Sequence, residues 1–194
     1  AHSFQVAYWI LGKPPVSAVG MGGRQVHKGP NYGNVYDHFY TEFNYDDGIQ
    51  LFAQDRQIDG CKTDMSEWIH GHEGVCEIQQ YRGATISGKD PWRMKDRRFN
   101  AYQIEHDIFV DAIRNNKVYN EGVMAAHATM MSVMARLASY SGIEVKWEEA
   151  LNSEHKIGPW DNCTWDTKPP IMPDKDDTYE HAVAMPGVYN PYTG

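Results

Sequence analysis

The sequence predicts an α+β fold, in which helices pack on one face of an open, mostly antiparallel sheet. Segments with the two-residue alternation of strands fill the first half of the chain, and segments with helical periodicity fill residues 101–151. The two kinds of segment do not alternate along the chain, as the strands and crossover helices of a parallel sheet would. We therefore expect a meander of strands followed by helices that cover it.

The chain opens on a short amphipathic helix. Its apolar residues recur at helical spacing, at Phe4, Ala7, Tyr8 and Leu11. Gly12, followed by Pro14, predicts the end of this helix. Only three residues precede the apolar stripe, so we expect the segment to be the end of a longer helix that begins before Ala1.

Several strands follow. Residues 16–19 predict a short strand that runs into the glycines of 20–23, where we expect a bend or bulge. These glycines lack the GK[ST] motif or the following helical pattern of a phosphate loop. Residues 35–45 and 49–58 predict two long strands, and the Asp47-Gly48 step between them is typical of a hairpin turn. A second hairpin is predicted over 67–78, and residues 80–87 could add another strand.

Three helices and a tail complete the predicted fold. Helices are expected over 101–115, over 121–141 and over 147–151, with Asn120 capping the second and Gly142 ending it. The second helix has apolar residues nearly all the way round, which predicts that it is buried. Six of the ten prolines follow residue 156, so we expect a domain over 1–157 and an extended tail over 158–194 that packs on it.

Composition excludes some classes of function. The net charge of −8 argues against nucleic acid as a partner, because neutralising phosphates needs clustered Lys and Arg. No apolar run is long enough to span a membrane. The three cysteines do not form a disulfide framework, and we expect reduced, buried thiols. A leader peptide before Ala1 would not be visible in this sequence, so both a cytoplasmic and a periplasmic location are compatible with it.

Two groups of side chains are candidate sites. His70 and His72 share one side of a predicted strand and could form half of a metal site, but surface histidines are the preferred interpretation, and no metal site is predicted. A second group shares one face of the long predicted hairpin: Tyr36, His38, Tyr40, Gln54 and Arg56. This face is either a solvated sheet surface or a surface that binds hydroxyls or carboxylates of a sugar or acid.

Several segments, taken in order, give the chain a resemblance to a known family. They are residues 2–12, Met21-Gly22-Gly23-Arg24-Gln25, residues 33–39, residues 54–58, residues 105–114, residues 140–142, residues 147–153 and Met185-Pro186-Gly187-Val188. In this order they resemble the C-terminal domain of the Gfo/Idh/MocA family of NAD(P)-dependent oxidoreductases, which act mainly on sugars and inositols. The resemblance implies a preceding Rossmann domain, absent from this chain, and an open sheet face that often forms an oligomer interface.

The resemblance also implies roles for individual residues and partners. His2 matches the family's proton-transfer or substrate-orienting histidine and is the predicted catalytic residue, while Gln5 stands where relatives often have Asp. We expect Tyr36, His38 and Arg56 on the open face to contact a sugar or polyol substrate. NAD or NADP is expected as cofactor of the full-length protein, bound mainly outside this chain. A homo-oligomer, dimer or tetramer, is expected through the open sheet face.

Three other functions stay open at this point. The fold could serve as a non-catalytic binding or dimerisation module. The full-length protein could instead be an NAD-using glycosidase or lyase, in which oxidation is transient and the cofactor is recycled. A metal-binding protein that uses His70 and His72 is the third.

Overall fold

The computed structural model describes residues 1–80, 82–95, 100–158 and 160–193, and the chain forms two compact units. Unit 1 comprises Ala1–Gly60 and Val123–Gly194, and unit 2 comprises Cys61–Gly122. Both units contain open antiparallel sheets, so the predicted α+β class is confirmed. The strands divide between two four-stranded sheets, a division that the sequence pattern did not predict.

The described residues of unit 1 form one sheet, three α-helices and two short 3-10 helices, Trp160–Asn162 and Glu180–Ala182. Its strands and α-helices are α1 (His2–Leu11), β1 (Ser17–Gly23), β2 (His38–Asn44), β3 (Gln50–Arg56), α3 (Gly122–Ser141, with its first residue in unit 2), β8 (Val145–Lys146) and α4 (Trp147–Leu151). Sheet A has the strand order β3-β2-β1-β8, and all its pairings are antiparallel. The predicted hairpin turn is confirmed, with Gly48 at a φ of 81° between β2 and β3.

The helices cover one face of sheet A. The buried face carries Ala18 and Phe43, which pack with Met131, Met134 and Ala138 of α3 in the main core. Helix α1 joins this side through Phe4, whose ring meets that of Phe43 edge-on at 5.2 Å between centroids. Because strand side chains alternate between faces, the residues between these core positions lie on the other, open face of sheet A.

The glycines of β1 continue the strand instead of bending it. The register with β2 runs without a break from Ser17 to Gly23, so the expected bulge is wrong. A Cβ on Gly20 would stand 2.6 Å from Ser139 Oγ and 2.9 Å from Ser139 N in α3. Gly20 is therefore needed for the close approach of a helix and a strand, and alternation alone could not reveal this.

The described residues of unit 2 form a second sheet and one α-helix. Sheet B consists of β4 (Ser66–His70), β5 (Gly74–Gln79), β6 (Gly83–Gly88) and β7 (Trp92–Arg93) in sequential antiparallel order, and α2 spans Ala101–Arg114. Asn100 caps α2 by accepting hydrogen bonds from Tyr102 N and Gln103 N. The second predicted hairpin is confirmed, whereas β7 was not predicted.

Two predictions about burial are wrong. Helix α3 is buried along one side and at its C-terminal end, while Val123 near its start is largely exposed. The cysteines are not a set of buried thiols, because Cys61 and Cys163 are exposed. Within the described ranges, no helix combines the length and apolar character needed to cross a membrane.

Replacing Gly20 with Ala is expected to destabilise unit 1. The new methyl group would collide with the backbone of Ser139 as well as with its hydroxyl, and such overpacking costs about 1–3 kcal/mol. Urea denaturation followed by circular dichroism would measure this free energy of unfolding.

Ser139→Ala is the matched control, because Ser139 Oγ is buried without a hydrogen-bond partner and its removal should cost little. The double variant should recover only part of the loss, since the contact with Ser139 N remains. An unchanged midpoint for Gly20→Ala would contradict the proposed close packing.

Candidate functional site

The open face of sheet A carries two of the predicted site residues as neighbours. His38 begins β2 and Arg56 ends β3, and the two are paired in the register of the sheet. The next pair on the same face is Tyr40 with Gln54. The structure therefore brings together four of the five side chains that the sequence grouped, on a face that no helix of unit 1 covers.

The His38 imidazole is held by a buried carboxylate. Asp37 Oδ1 lies 2.7 Å from His38 Nδ1, and the Asp37 side chain is fully buried while 39% of the His38 side chain is exposed. An ionised carboxylate can only accept, so Nδ1–H must donate to Asp37. This bond fixes the orientation of the ring and leaves Nε2 as its second functional atom.

The other oxygen of Asp37 organises the loop before β2. Asp37 Oδ2 accepts from three successive backbone N–H groups, those of Gln25 (2.7 Å), Val26 (2.6 Å) and His27 (3.0 Å). Burial by itself would raise the pKa of Asp37, but the backbone hydrogen bonds and the bond from His38 outweigh it and hold the pKa well below its usual range. Asp37 is therefore a charged anchor for the loop at neutral pH.

Tyr36 does not belong to the open face. Its side chain is 5% exposed, its ring packs 4.4 Å from that of Tyr140 on α3, and its hydroxyl donates to Ala184 O at 2.7 Å. Strand β2 begins only at His38. The alternation of side chains between the two faces therefore does not extend back to Tyr36. A buried phenol whose hydroxyl is already bonded cannot contact a substrate on that face, which corrects the predicted grouping.

His2 lies on the other side of sheet A from His38 and Arg56. It is the exposed first residue of α1, and α1 packs on the helix-covered face through Phe4. Tyr8 of the same helix is hydrogen-bonded through its hydroxyl to His127 Nδ1 of α3 at 2.9 Å, which fixes α1 on this side. The structure thus does not unite His2 with the polar open face in a single site.

Arg24 ties the same loop to the C-terminal tail. Its side chain is 2% exposed, Nε donates to His27 O, and Nη2 donates to Thr178 O at 2.7 Å. Its Nη1 atom is buried without a hydrogen-bond partner, and the nearest carboxylate oxygen, Glu180 Oε1, lies 3.8 Å away. Asn34 adds a further tie by donating to Ala182 O at 3.0 Å.

Neither a metal-binding cluster nor a phosphate-binding loop at β1 is found among the described residues. Among them, no group of three or more His, Cys, Asp or Glu side chains is arranged to hold a metal. The glycines of β1 are paired with β2 as a regular strand, so they do not form the loop at a helix N-terminus that cradles a pyrophosphate. The glycine-rich segment of β1 is therefore not a dinucleotide-binding loop.

Sequence reasoning missed Asp37 and Arg24, the two buried charges of the site. Asp37 interrupts an otherwise apolar and aromatic run at 35–39, and a charged residue in such a place is the one local signal that it is buried with partners. Arg24 has no comparable signal, because its partners at 178 and 180 lie more than 150 residues away.

No protein-family model matches the sequence, and no curated protein matches it. Solved structures do share its fold. UDP-N-acetylglucosamine 3-dehydrogenase GnnA from Acidithiobacillus ferrooxidans is 14% identical over 71% of this chain and 45% of its own, with a TM-score of 0.60. The aldose-aldose oxidoreductase from Caulobacter crescentus, complexed with glycerol, is 16% identical over 75% of this chain and 45% of its own, with a TM-score of 0.58.

A third structure extends this similarity. The WlbA dehydrogenase from Bordetella pertussis, in complex with NADH and UDP-GlcNAcA, is 13% identical over 75% of this chain and 42% of its own, with a TM-score of 0.56. The chain spans less than half the length of each of these three proteins. The predicted resemblance to Gfo/Idh/MocA-type oxidoreductases is thus confirmed for the fold.

Replacing Asp37 with Asn is expected to destabilise the protein by about 3 kcal/mol at neutral pH, because charge-assisted hydrogen bonds are lost in a buried setting. The folded-state pKa of Asp37 is lowered from its ordinary 3.8, so its stabilising effect is complete above that value and is lost as the pH falls towards the folded pKa. Urea denaturation between pH 7 and pH 2 would measure both effects.

The exposed Asp55 of β3 provides a control, since Asp55→Asn removes a carboxylate of the neighbouring strand. Wild type and Asp55→Asn should lose stability below about pH 4, whereas Asp37→Asn should lack that component of the slope. Parallel curves for wild type and Asp37→Asn would contradict the role of Asp37 as a charged anchor.

Proposed function

We propose that this chain is the substrate-binding and oligomerisation part of a Gfo/Idh/MocA-type oxidoreductase that acts on a sugar or polyol with NAD or NADP. The observation that carries the proposal is the fold. The chain shares it with a UDP-N-acetylglucosamine dehydrogenase, an aldose-aldose oxidoreductase and a dehydrogenase in complex with NADH and UDP-GlcNAcA. Since the chain spans less than half of each of those proteins, activity is proposed for a complete protein that contains it.

The cofactor enters this proposal as a group bound elsewhere. The glycines of β1 form a strand and not a dinucleotide-binding loop, and the residues that bind NAD or NADP are proposed to lie outside this chain. What this chain would supply is a surface for the substrate and a group that handles the hydroxyl proton.

His2 is the proposed proton-transfer or substrate-orienting residue. Its position supports the role, because it is exposed at the start of α1, and α1 is anchored to the core by Phe4 and Tyr8. An imidazole can accept and release a proton near neutral pH, as oxidation of a hydroxyl group requires. A rigid helix would hold that imidazole at a constant position relative to the substrate.

The open face of sheet A is the proposed self-association surface. Two large apolar side chains stand out of it, Met21 with 66% and Phe52 with 56% of their surface exposed. His38 and Arg56 lie at one end of this face, where they would form a polar rim and could also contact a substrate. In a single chain, sheet A separates that substrate contact from His2.

The expected result of replacing His2 with Asn in the complete protein is a fall in kcat of roughly 10²- to 10⁴-fold with a smaller change in KM, as for loss of a general base. Formation of NADH or NADPH with a panel of sugars and polyols would measure it. The exposed His106 of α2 is a control, and His106→Asn should leave kcat unchanged.

Three outcomes would count against this proposal. An unchanged kcat for His2→Asn would remove the assignment of that residue. Substrate conversion without accumulation of reduced cofactor would favour a glycosidase or lyase with transient oxidation. A complete protein that binds no nicotinamide cofactor would favour the non-catalytic module.

Replacing Arg56 with Ala in the complete protein is expected to raise KM roughly tenfold, because a charge-assisted contact to the substrate is lost. Arg93→Ala on the exposed strand β7 is the matched control. Steady-state kinetics and sedimentation velocity should be measured on the same samples. If kcat/KM stays unchanged, Arg56 is not a substrate contact, and a simultaneous loss of the oligomer would assign it to the self-association surface alone.

A further inference from the structure

The loop between β1 and β2 is long and yet firmly held. It covers residues 24–37, which contain no strand or helix, and connections of this length are uncommon unless they are functional or disordered. Here the loop is built around two nearly fully buried charges, Asp37 and Arg24. Burying a charge costs free energy unless hydrogen bonds offset the loss of hydration. The loop can therefore bury both charges only in a conformation that supplies their hydrogen-bond partners.

Both buried charges act on the same residue. Asp37 Oδ2 accepts from His27 N at 3.0 Å, and Arg24 Nε donates to His27 O. The peptide groups on either side of the His27 Cα are therefore fixed by two different charged side chains. No such double restraint is described for the other residues of the loop.

The side chain of His27 supports an exposed aromatic ring. The rings of His27 and Tyr32 are stacked, with centroids 4.6 Å apart and planes 7° from parallel. His27 is half-buried, whereas 46% of Tyr32 is exposed. The loop returns on itself between them through Gly29, whose φ of 98° suits glycine and whose carbonyl accepts from Tyr32 N at 3.3 Å.

We propose that the stacked rings of His27 and Tyr32 form a carbohydrate-binding platform, on which the apolar face of a pyranose or cyclic polyol lies against the outer face of Tyr32. This inference rests on the proposed function for its class of ligand, because sugars and polyols are the substrates proposed there. Lys28 and Asn31 are exposed in the same loop, and side chains of these types can bond the hydroxyl groups of such a ligand. An aromatic surface with a few polar groups beside it is the usual composition of a small-molecule site.

The platform is distinct from the sites proposed above. His27 and Tyr32 lie in the loop and not on sheet A, and neither belongs to the group of open-face side chains. Asp37 connects the two regions, since its second oxygen accepts from His38. Asp37 is thus a positioning residue for the platform, because it holds the loop backbone and does not touch the ligand.

The experiment is a titration of this chain with methyl β-D-glucopyranoside and with myo-inositol, followed by NMR of the ring protons of His27 and Tyr32. We expect shifts confined to the loop, and a weakening of binding by roughly fivefold to tenfold in Tyr32→Ala. Tyr32→Phe keeps the ring and should bind as the wild type does. Tyr119→Ala removes an exposed tyrosine of unit 2 and is the matched control.

Each other outcome overturns a stated part of the inference. Undiminished binding by Tyr32→Ala, or no shift of the ring protons with either ligand, removes the platform. Binding of uridine at the same rings, without binding of either carbohydrate, would show that the rings bind a nucleobase and would overturn the assignment of a carbohydrate ligand.

The platform and the proposed function can fail separately. Sugar binding at Tyr32 together with a complete protein that oxidises no sugar would retain the platform and reject the function. Sugar oxidation with a KM that is unchanged by Tyr32→Ala, in a chain whose rings do not respond to sugar, would reject only the platform.

Discussion

The carboxylate of Asp37 is the interaction on which the candidate site depends. Its two oxygens are bonded by three backbone N–H groups of the preceding loop and by the His38 ring. Its own backbone bridges two strands, because Asp37 N donates to Gly23 O and Gln57 N donates to Asp37 O. A single buried charge therefore links the end of β1, the loop, the start of β2 and the end of β3. A neutral side chain of the same size could not satisfy four donors, and so the loop requires the ionised form.

The two faces of sheet A differ in what covers them. One face is covered by α1, α3 and α4, and its side chains are buried in the core. The other face keeps both apolar and polar side chains available, among them Phe52 and Arg56. Because successive residues of a strand point to opposite faces, His38 and its neighbour Phe39 belong to different environments despite their adjacency. The roles proposed for His2 and Arg56 therefore concern residues of two different elements, α1 and β3.

Local patterns predicted most of the elements. The Asp47-Gly48 step identified the first hairpin, since a positive φ at Gly48 is an intrinsic property of that turn. Gly12 ended α1 for the same reason, with a φ of 71°. The glycines of β1 gave the wrong prediction of a bulge. Gly20 is needed because α3 approaches the strand closely at Ser139, a residue more than a hundred positions away. Of the candidate site, alternation identified His38 and Arg56 as neighbours but misplaced Tyr36, whose environment is set by Tyr140 and Ala184.

The sequence by itself determined the α+β class, the two hairpins, the ends of the helices and the polar pairing of β2 with β3. These follow from turn chemistry, caps and periodicity, which act over a few residues. Tertiary structure alone decided that the strands form two sheets, that Arg24 and Asp37 are buried, and that His2 and His38 stand on opposite sides of sheet A. Those features depend on hydrogen bonds and packing between segments far apart in the chain, such as the bond from Arg24 to Thr178 O. Such contacts produce no periodic pattern in the sequence, so sequence periodicity cannot predict them.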